Sequence, residues 1–579
     1  MVFLKDLRTP LLAAFFCVAL NACTTSDSPP YNALAPCPEQ TTSIAGVQGV
    51  GDKSPMQDRQ VIVHGVVTLI QNDKGLYIEQ PDSDTDQRSS NALYIQATAL
   101  PVEVETGSLI SAKGTVSELG DGRDPLTALT GTNDIKLCSS GHALPVTDVS
   151  LPLDSTAREA LEGMRIRFND ALTVSDVYRF ERGMFTLSSS GIQYVPTEVM
   201  QPGPATADLI AQNRNSALPV LLPDHTGFPK LLVNGASVDQ LSGVLAHDDR
   251  GKRISLDSIG TFSKPDIESP PAAYPGSLRV VAMNLHNYFN GDGKGQGFPT
   301  PRGAETLDEF QHQRDRIGAA IAVLDPHVLA VMELENNGFG EHSAAQDFIR
   351  LAERASPNRW AVARPVDDNT GSDKIAVGIF YRSDQLKALD AAQTLTGPEF
   401  ERSRQPQAQL FQRLPDGETI LIVINHLKSK GSCPESGVDA RQNDGQGCWN
   451  AMRRAAAEKM TQWAKSIAAS YGTDNILILG DMNAYRNEDP IGAIRKAGFT
   501  ELMESKPLPT HSFVYSGQHG SLDYAFSSDA LLDHVEQAYI WHVNTVFPAK
   551  VELPLPWLGF SDHDPVVVEL SLRQSSTSD

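Results

Sequence analysis

The chain has 579 residues, 40% of them apolar, and a formal charge of −23. That length exceeds what one hydrophobic core organises, so two or three domains are expected in a soluble globular body. The charge excludes a polycation that gathers nucleic acid by its summed field, so any phosphate-binding surface must be local.

Lys5 and Arg8 precede an apolar run over residues 11–20, too short for a permanent membrane span and readable as an export signal. The run ends Leu20, Asn21, Ala22, Cys23, and small residues before a Cys resemble the bacterial lipobox. That likeness implies cleavage before Cys23 and lipidation of it, with residues 23–36 as a tether; an ordinary signal peptide is the competing reading. Beyond Cys17 and Cys23 the chain keeps Cys37, Cys138, Cys433 and Cys448, an even number suited to an oxidising compartment. Of the three pairings, Cys37 with Cys138, bracketing the first domain, and Cys433 with Cys448, closing a Gly- and Asp-rich loop, are favoured. Zinc is the alternative, but no CxxC pair and no His at ligand spacing supports it.

Residues 37–141 alternate short β segments (61–70, 75–79, 92–97, 109–116, 134–137) with turn residues. Their order resembles an OB fold, a scaffold for single-stranded nucleic acid or oligosaccharide. Tyr77 and Tyr94 read either as base-stacking platforms or as cross-strand packing aromatics. A second β-rich region, 144–263, has candidate strands at 164–168, 172–177, 184–187 and 242–245. Its His247, Asp248 and Asp249 could form a metal cluster, but a polar turn before Arg250 and Gly251 explains them more simply. The Pro-rich stretch 264–277 reads as a linker.

From residue 278 to 572 strands and helices alternate: strands at 278–283, 328–332, 375–381, 420–424 and 476–479, helices at 305–324 and 450–468. This predicts an α/β layered catalytic domain behind the β-rich ones. Its strand-like runs end in acid, amide and imidazole groups: Glu333, then Asn425 and His426, then Asp481 and Asn483. Ser561, Asp562, His563, Asp564 and Pro565 lead straight into the apolar run 566–570. Hydrolysis of a phosphate ester needs a group that accepts a proton at neutral pH and a metal to neutralise the phosphate, and these residue types supply both.

In chain order, Met283–Asn284–Leu285, Glu333 within Met332 to Asn336, Asn425 to Ser429, Gly480 to Asn483, Leu522–Asp523–Tyr524 and Ser561 to Pro565 resemble the endonuclease/exonuclease/phosphatase (DNase I-like) superfamily. The segments 284–301 and 425–430, with the Cys-bracketed loop after them, look closest to large secreted bacterial nucleases of ExeM/NucH type. The resemblance covers about residues 35 to 572. It implies that Asn284, Glu333 and Asp562 hold a divalent metal, Mg2+ first, with Mn2+ or Ca2+ also compatible. It implies His563, oriented by Asp523, as the base for the attacking water, and His426 as acid or phosphate donor opposite. Asp481 and Asn483 would position water or a second metal. Two departures stand out: residues 547–560 are Pro- and Leu-rich with Trp557 where such nucleases read polar, and Arg404–Gln405–Pro406 lacks a second Pro.

Arg402, Arg404, Lys428, Lys430, Arg441, Arg453 and Arg454 flank these motifs and are expected to form a basic rim, with Arg404, Lys428 and Asn425 as substrate contacts. The expectation is therefore an exported metal-dependent nuclease acting on DNA, with RNA as the second choice. It would be an outer-membrane lipoprotein or an extracellular protein of a Gram-negative bacterium, held to the membrane by its lipid; no protein partner is inferable. The alternatives are a phosphatase or lipid phosphodiesterase on the same scaffold, or a non-catalytic nucleic-acid-binding lipoprotein.

Overall fold

The computed structural model describes residues 37–572 apart from 72–73, 81–86, 98, 121–123, 223–229, 249, 264–266, 268, 504–509 and 550. Cys23 with the export segment, Asp249 and part of the Pro-rich stretch lie outside the described residues. Gln60–Gln71, Gly75–Glu79, Ala92–Gln96, Leu109–Leu119 and Leu126–Ser139 form a closed five-stranded barrel in which the first strand pairs with both the second and the fourth. Val63, Val67, Ile78, Ile95 and Ile110 fill its interior. The fifth strand starts eight residues before its expected segment.

Tyr77 and Tyr94 are 0% and 6% exposed, with ring centroids 5.0 Å apart, and pack against Val244 and Ala246 of the next sheet. Tyr77 Oη accepts from His247 N at 2.9 Å, and Tyr94 Oη donates to the Lys74 carbonyl at 2.6 Å. These rings are packing aromatics; burial takes them out of reach of a base. His247 and Asp248 end one arm of a hairpin, with Asp248 Oδ1 accepting from Arg250 N at 2.8 Å, as a polar turn requires.

Region 144–263 builds an eight-stranded sheet. Its Ile166, Phe168 and Leu187 belong to the same apolar cluster as Val281, Met283, Ile317 and Phe348 of the layers beyond. Gln193–Tyr194 also pairs in parallel with Gln518–Gly520, and Asn234 Nδ2 donates to the Thr545 carbonyl at 2.9 Å. The region thus buttresses loops of the α/β part.

That part is a sandwich of two mixed six-stranded sheets flanked by helices, which fits an α/β DNase I-like domain. The first sheet runs Trp360–Val362, Ile375–Arg382, Val328–Glu335, Leu278–Tyr288, Val566–Leu570, Val535–Ile540. The second runs Leu386–Thr394, Gln407–Arg413, Thr419–His426, Ile476–Asp481, Asp523–Ser528, Phe499–Glu501. Alternate residues serve the two faces: Val280 and Ala282 meet Ile422, Ile424 and Leu477 between the sheets, while Val281 and Met283 face helices Leu307–Leu324 and Ala344–Ala355. Helix Leu307–Leu324 starts where Thr306 accepts from Glu309 N at 3.2 Å. Helices Asn450–Tyr471 and Asp489–Lys496 cover the second sheet. The Pro- and Leu-rich departure, 547–560, lies over the first helix, where Arg316 donates to the Gly559 and Val551 carbonyls at 3.0 and 3.1 Å.

Both expected disulfides are formed: Cys37 with Cys138, Cα atoms 5.3 Å apart, and Cys433 with Cys448, 5.5 Å apart.

Candidate active site

Three neighbouring strands of the second sheet place three ionisable side chains in one row. His426 lies opposite Asp481 in the parallel pair, and Asp481 lies opposite Asp523 in the antiparallel pair. His426 Nε2 is 3.2 Å from Asp481 Oδ2. Asp481 closes a tight turn: its Oδ1 accepts from Asn483 N at 2.7 Å, and Asn483 Nδ2 donates to Asp481 Oδ2 and the Leu427 carbonyl, both at 3.1 Å. Asn483 has φ +47°, which Asn tolerates better than most residues. Gly480 is required for close approach, since a Cβ there would sit 2.1 Å from the Asn425 carbonyl oxygen.

The first sheet supplies the other half. Asn284 pairs with Met332, so Glu333 follows at the same strand edge, where the ladder is interrupted by a bulge. Glu333 has φ +63°, a conformation that costs a non-glycine residue about 1–3 kcal/mol and clusters at functional sites. Its Oε2 accepts from Asn287 N at 2.9 Å. Asn284 is buried, its Oδ1 accepts from His286 N at 2.8 Å, and its Nδ2 has no partner among the described residues. His563 joins the two halves: it precedes strand Val566–Leu570 of the first sheet, and its Nδ1 is 2.7 Å from Asp523 Oδ2 on the second. Ser512 Oγ donates to the same oxygen at 2.7 Å and accepts from Leu522 N and Asp523 N at 3.0 Å each.

The two imidazoles are driven apart in proton affinity. Burial, helped by Arg404, holds His426 well below the ordinary histidine range. Burial also opposes charge on His563, but the Asp523 carboxylate overcomes it, with Asp562 and Asp481 adding to the pull, and raises His563 well above that range. Burial likewise opposes charge on Asp562, yet His286 and His563 hold its carboxyl below the usual value. The opposite shifts leave His563 readily protonated and His426 neutral, each set by its surroundings.

Among the described residues, Glu333, Asp481, Asp523 and Asp562 form no ion pair with a lysine or arginine. Four carboxylates at one edge, with the amide oxygen of buried Asn284 on the strand beside Glu333, suit a hard divalent cation that prefers oxygen ligands. Asn284, Glu333 and Asp562 are the residues that would hold it.

Of the basic rim, only part lies at the surface. Arg404 is 7% exposed and donates from Nη2 to the Leu427 carbonyl at 2.8 Å, while its Nε has no partner among the described residues; its field reaches Asp481, Asp373 and Glu333. Lys428 is half-buried, 5.3 Å above the Trp449 ring that Arg402 also covers at 5.1 Å. Lys430 is instead bound to Glu488 at 2.5 Å, and Arg453, fully buried, donates to the Cys448 and Lys428 carbonyls at 2.8 and 3.2 Å. Those two are braces of the disulfide loop, correcting their place in the rim. Asn425 also braces: it has no exposure, and its Nδ2 donates to the Leu479 carbonyl at 2.7 Å, beneath the site. Arg441 and Arg454 are exposed, the latter beside Glu458 at 3.3 Å. Ser512 and His286 were given no role from the sequence: Ser512 stands in a loop without a motif, and His286, inside the 284–301 segment on strand Leu278–Tyr288, is distinguished by its field on Asp562.

No family profile matches this chain, and no curated protein matches it. Similar solved structures include endonuclease/exonuclease/phosphatase family proteins. One from Bacteroides vulgatus is 15% identical over 51% of this chain and 99% of its own, with a TM-score of 0.35. The mannosyl-6-phosphatase of Bacteroides thetaiotaomicron is 17% identical over 51% and 100%, with a TM-score of 0.36. D. rerio TDP2, complexed with single strand DNA product, is 12% identical over 51% and 99%, with a TM-score of 0.33.

Proposed function

We propose that this chain is an exported, metal-dependent nuclease of the DNase I-like superfamily that hydrolyses phosphodiester bonds of DNA, with RNA as the alternative polymer. The observation that carries it is the row His426, Asp481, Asp523 closed by His563 from the opposite sheet, at 3.2 and 2.7 Å, beside carboxylates without lysine or arginine partners among the described residues. Asp523, fixed by Ser512, holds the His563 ring so that its other nitrogen is presented for proton transfer. His426 stays uncharged and can donate a hydrogen bond to a phosphate oxygen. Arg404 and Lys428 offer positive charge to the non-bridging oxygens. A divalent cation held by Asn284, Glu333 and Asp562 would neutralise the phosphate and, by its own charge, lower the proton affinity of His563 toward that of a base. The closed order of the first barrel supports reading it as an OB-like module for a single strand.

The test uses closed circular DNA with Mg2+ or Mn2+, across a salt series, beside phosphomonoesters and sphingomyelin. Nicking that stops on chelation and falls steeply with salt is expected, as phosphate contacts are screened. Hydrolysis of the small esters or lipid without nicking would overturn the nuclease reading in favour of the phosphatase one.

Burial, with Arg404, Arg453 and Arg402 adding to it, pushes the Lys428 ammonium down to about 8. It is charged below that pH and neutral above, so KM for a polyanionic substrate should rise as pH passes 8. Lys428→Arg, whose guanidinium stays charged, should remove that rise; an unchanged profile would take Lys428 out of binding. For the export reading, Cys23→Ser should release the protein from membranes, and peptide mapping should find both disulfides oxidised. Free thiols at all four positions would contradict export.

A further inference from the structure

Beside Ser512 and outside the groups assigned above, three imidazoles meet. The His511 and His542 rings are stacked, with centroids 4.2 Å apart and planes inclined by 13°, and His519 meets His511 edge-on at 4.4 Å. Crowding polar rings in the interior is costly unless their nitrogens are used. His511 is 7% exposed, yet its Nε2 has no hydrogen-bond partner among the described residues. His542 Nδ1 lies 2.9 Å from Asp564 Oδ2. One ring nitrogen each from His511 and His542 and one carboxylate oxygen of Asp564 all fall within 4.8 Å of one another.

Two imidazoles and a carboxylate are donors for a borderline ion of the Zn2+ class, whereas Mg2+ and Ca2+ take oxygen ligands. Asp564 is already fixed, since its Oδ1 accepts from Val543 N, Asn544 N and Thr545 N at 3.1, 2.8 and 3.1 Å. Zinc bonds of about 2.0–2.1 Å put tetrahedral ligands about 3.3 Å apart, so the His542–Asp564 edge is near its final length. Closing the remaining edges requires His542 to turn out of the stack. Its side chain is 38% exposed, which gives both the freedom to turn and the way in for an ion.

We propose that His511, His542 and Asp564 bind a Zn2+-class ion at a second site, separate from the oxygen-rich one at Asn284, Glu333 and Asp562. The ion would replace the proton between His542 and Asp564 and staple segment 541–547 to His511. Ser512, next in the chain, holds Asp523 and accepts from Asp564 N at 2.8 Å through its carbonyl, so the ion braces the catalytic dyad from behind.

The experiment is equilibrium dialysis of the full chain carrying Glu333→Gln, which weakens the oxygen-rich site, against micromolar Zn2+, with Co2+ in parallel for its visible absorption. A single bound ion, a visible band and a raised unfolding midpoint are expected, all lost when His542→Ala is added at its exposed position. Equal Zn2+ binding and equal midpoints with and without His542→Ala would overturn the proposal, as would no bound Zn2+ at all.

Discussion

His563→Ala should lower kcat by about three orders of magnitude while the protein stays folded. A positioned proton-transfer group contributes about 10²–10⁴-fold, and His563 is the group through which both sheets meet at Asp523. Its ring packs on Phe513 at 4.6 Å between centroids, and Asp523 keeps the Ser512 hydrogen bond when the ring is lost, so the fold has other support there. Asp523→Asn should fall nearly as far, because the amide releases the ring from its orientation and removes the charge that favours the imidazolium. The double variant should be little worse than either single one, since the pair acts as a unit. Steady-state kinetics on DNA decide it: either single variant within tenfold of the parent would remove the dyad from the mechanism.

Arg279→Met should cause the largest loss of stability, about 3–5 kcal/mol, by leaving a buried carboxylate unpaired. Arg279 and Glu569 are 2% and 1% exposed and sit directly opposite each other on strands Leu278–Tyr288 and Val566–Leu570, ion-paired through Arg279 Nε. The guanidinium also donates to the Leu324 carbonyl at 2.5 Å and the Pro271 carbonyl at 2.9 Å, and Ser277 Oγ donates to Glu569. The two strands end in, or emerge from, the segments that carry Asn284 and Asp562–His563. Adding Glu569→Leu should recover much of the loss, because an apolar pair of similar volume replaces a buried ion pair at little net cost. A double-mutant cycle by urea denaturation measures this; a single variant within about 1 kcal/mol of the parent would show the pair to be dispensable.

Local pattern decided what could be read from the chain alone. Runs such as 420–424 and 476–479 read as strands because both their faces are buried and the apolar signal is continuous. Leu386–Thr394 escaped, since only two of its nine residues are buried, and so did Leu126–Thr130 of the barrel, whose Thr–Ala–Leu–Thr pattern carries little apolar signal. The ionisable and amide groups at strand ends were legible by residue type, as were the two cysteine pairs by position. Pairing between strands decided the rest. That His426 faces Asp481, and Asp481 faces Asp523, follows from register between strands 55 and 42 residues apart in the chain. Burial from a neighbouring layer took Tyr77 and Tyr94 away from solvent, and ion pairing with Glu488 took Lys430 out of the rim. Charge and aromaticity are properties of a residue, readable where it stands. Exposure, partner and proton affinity belong to the surroundings that distant segments build, and those exist only once the chain has folded.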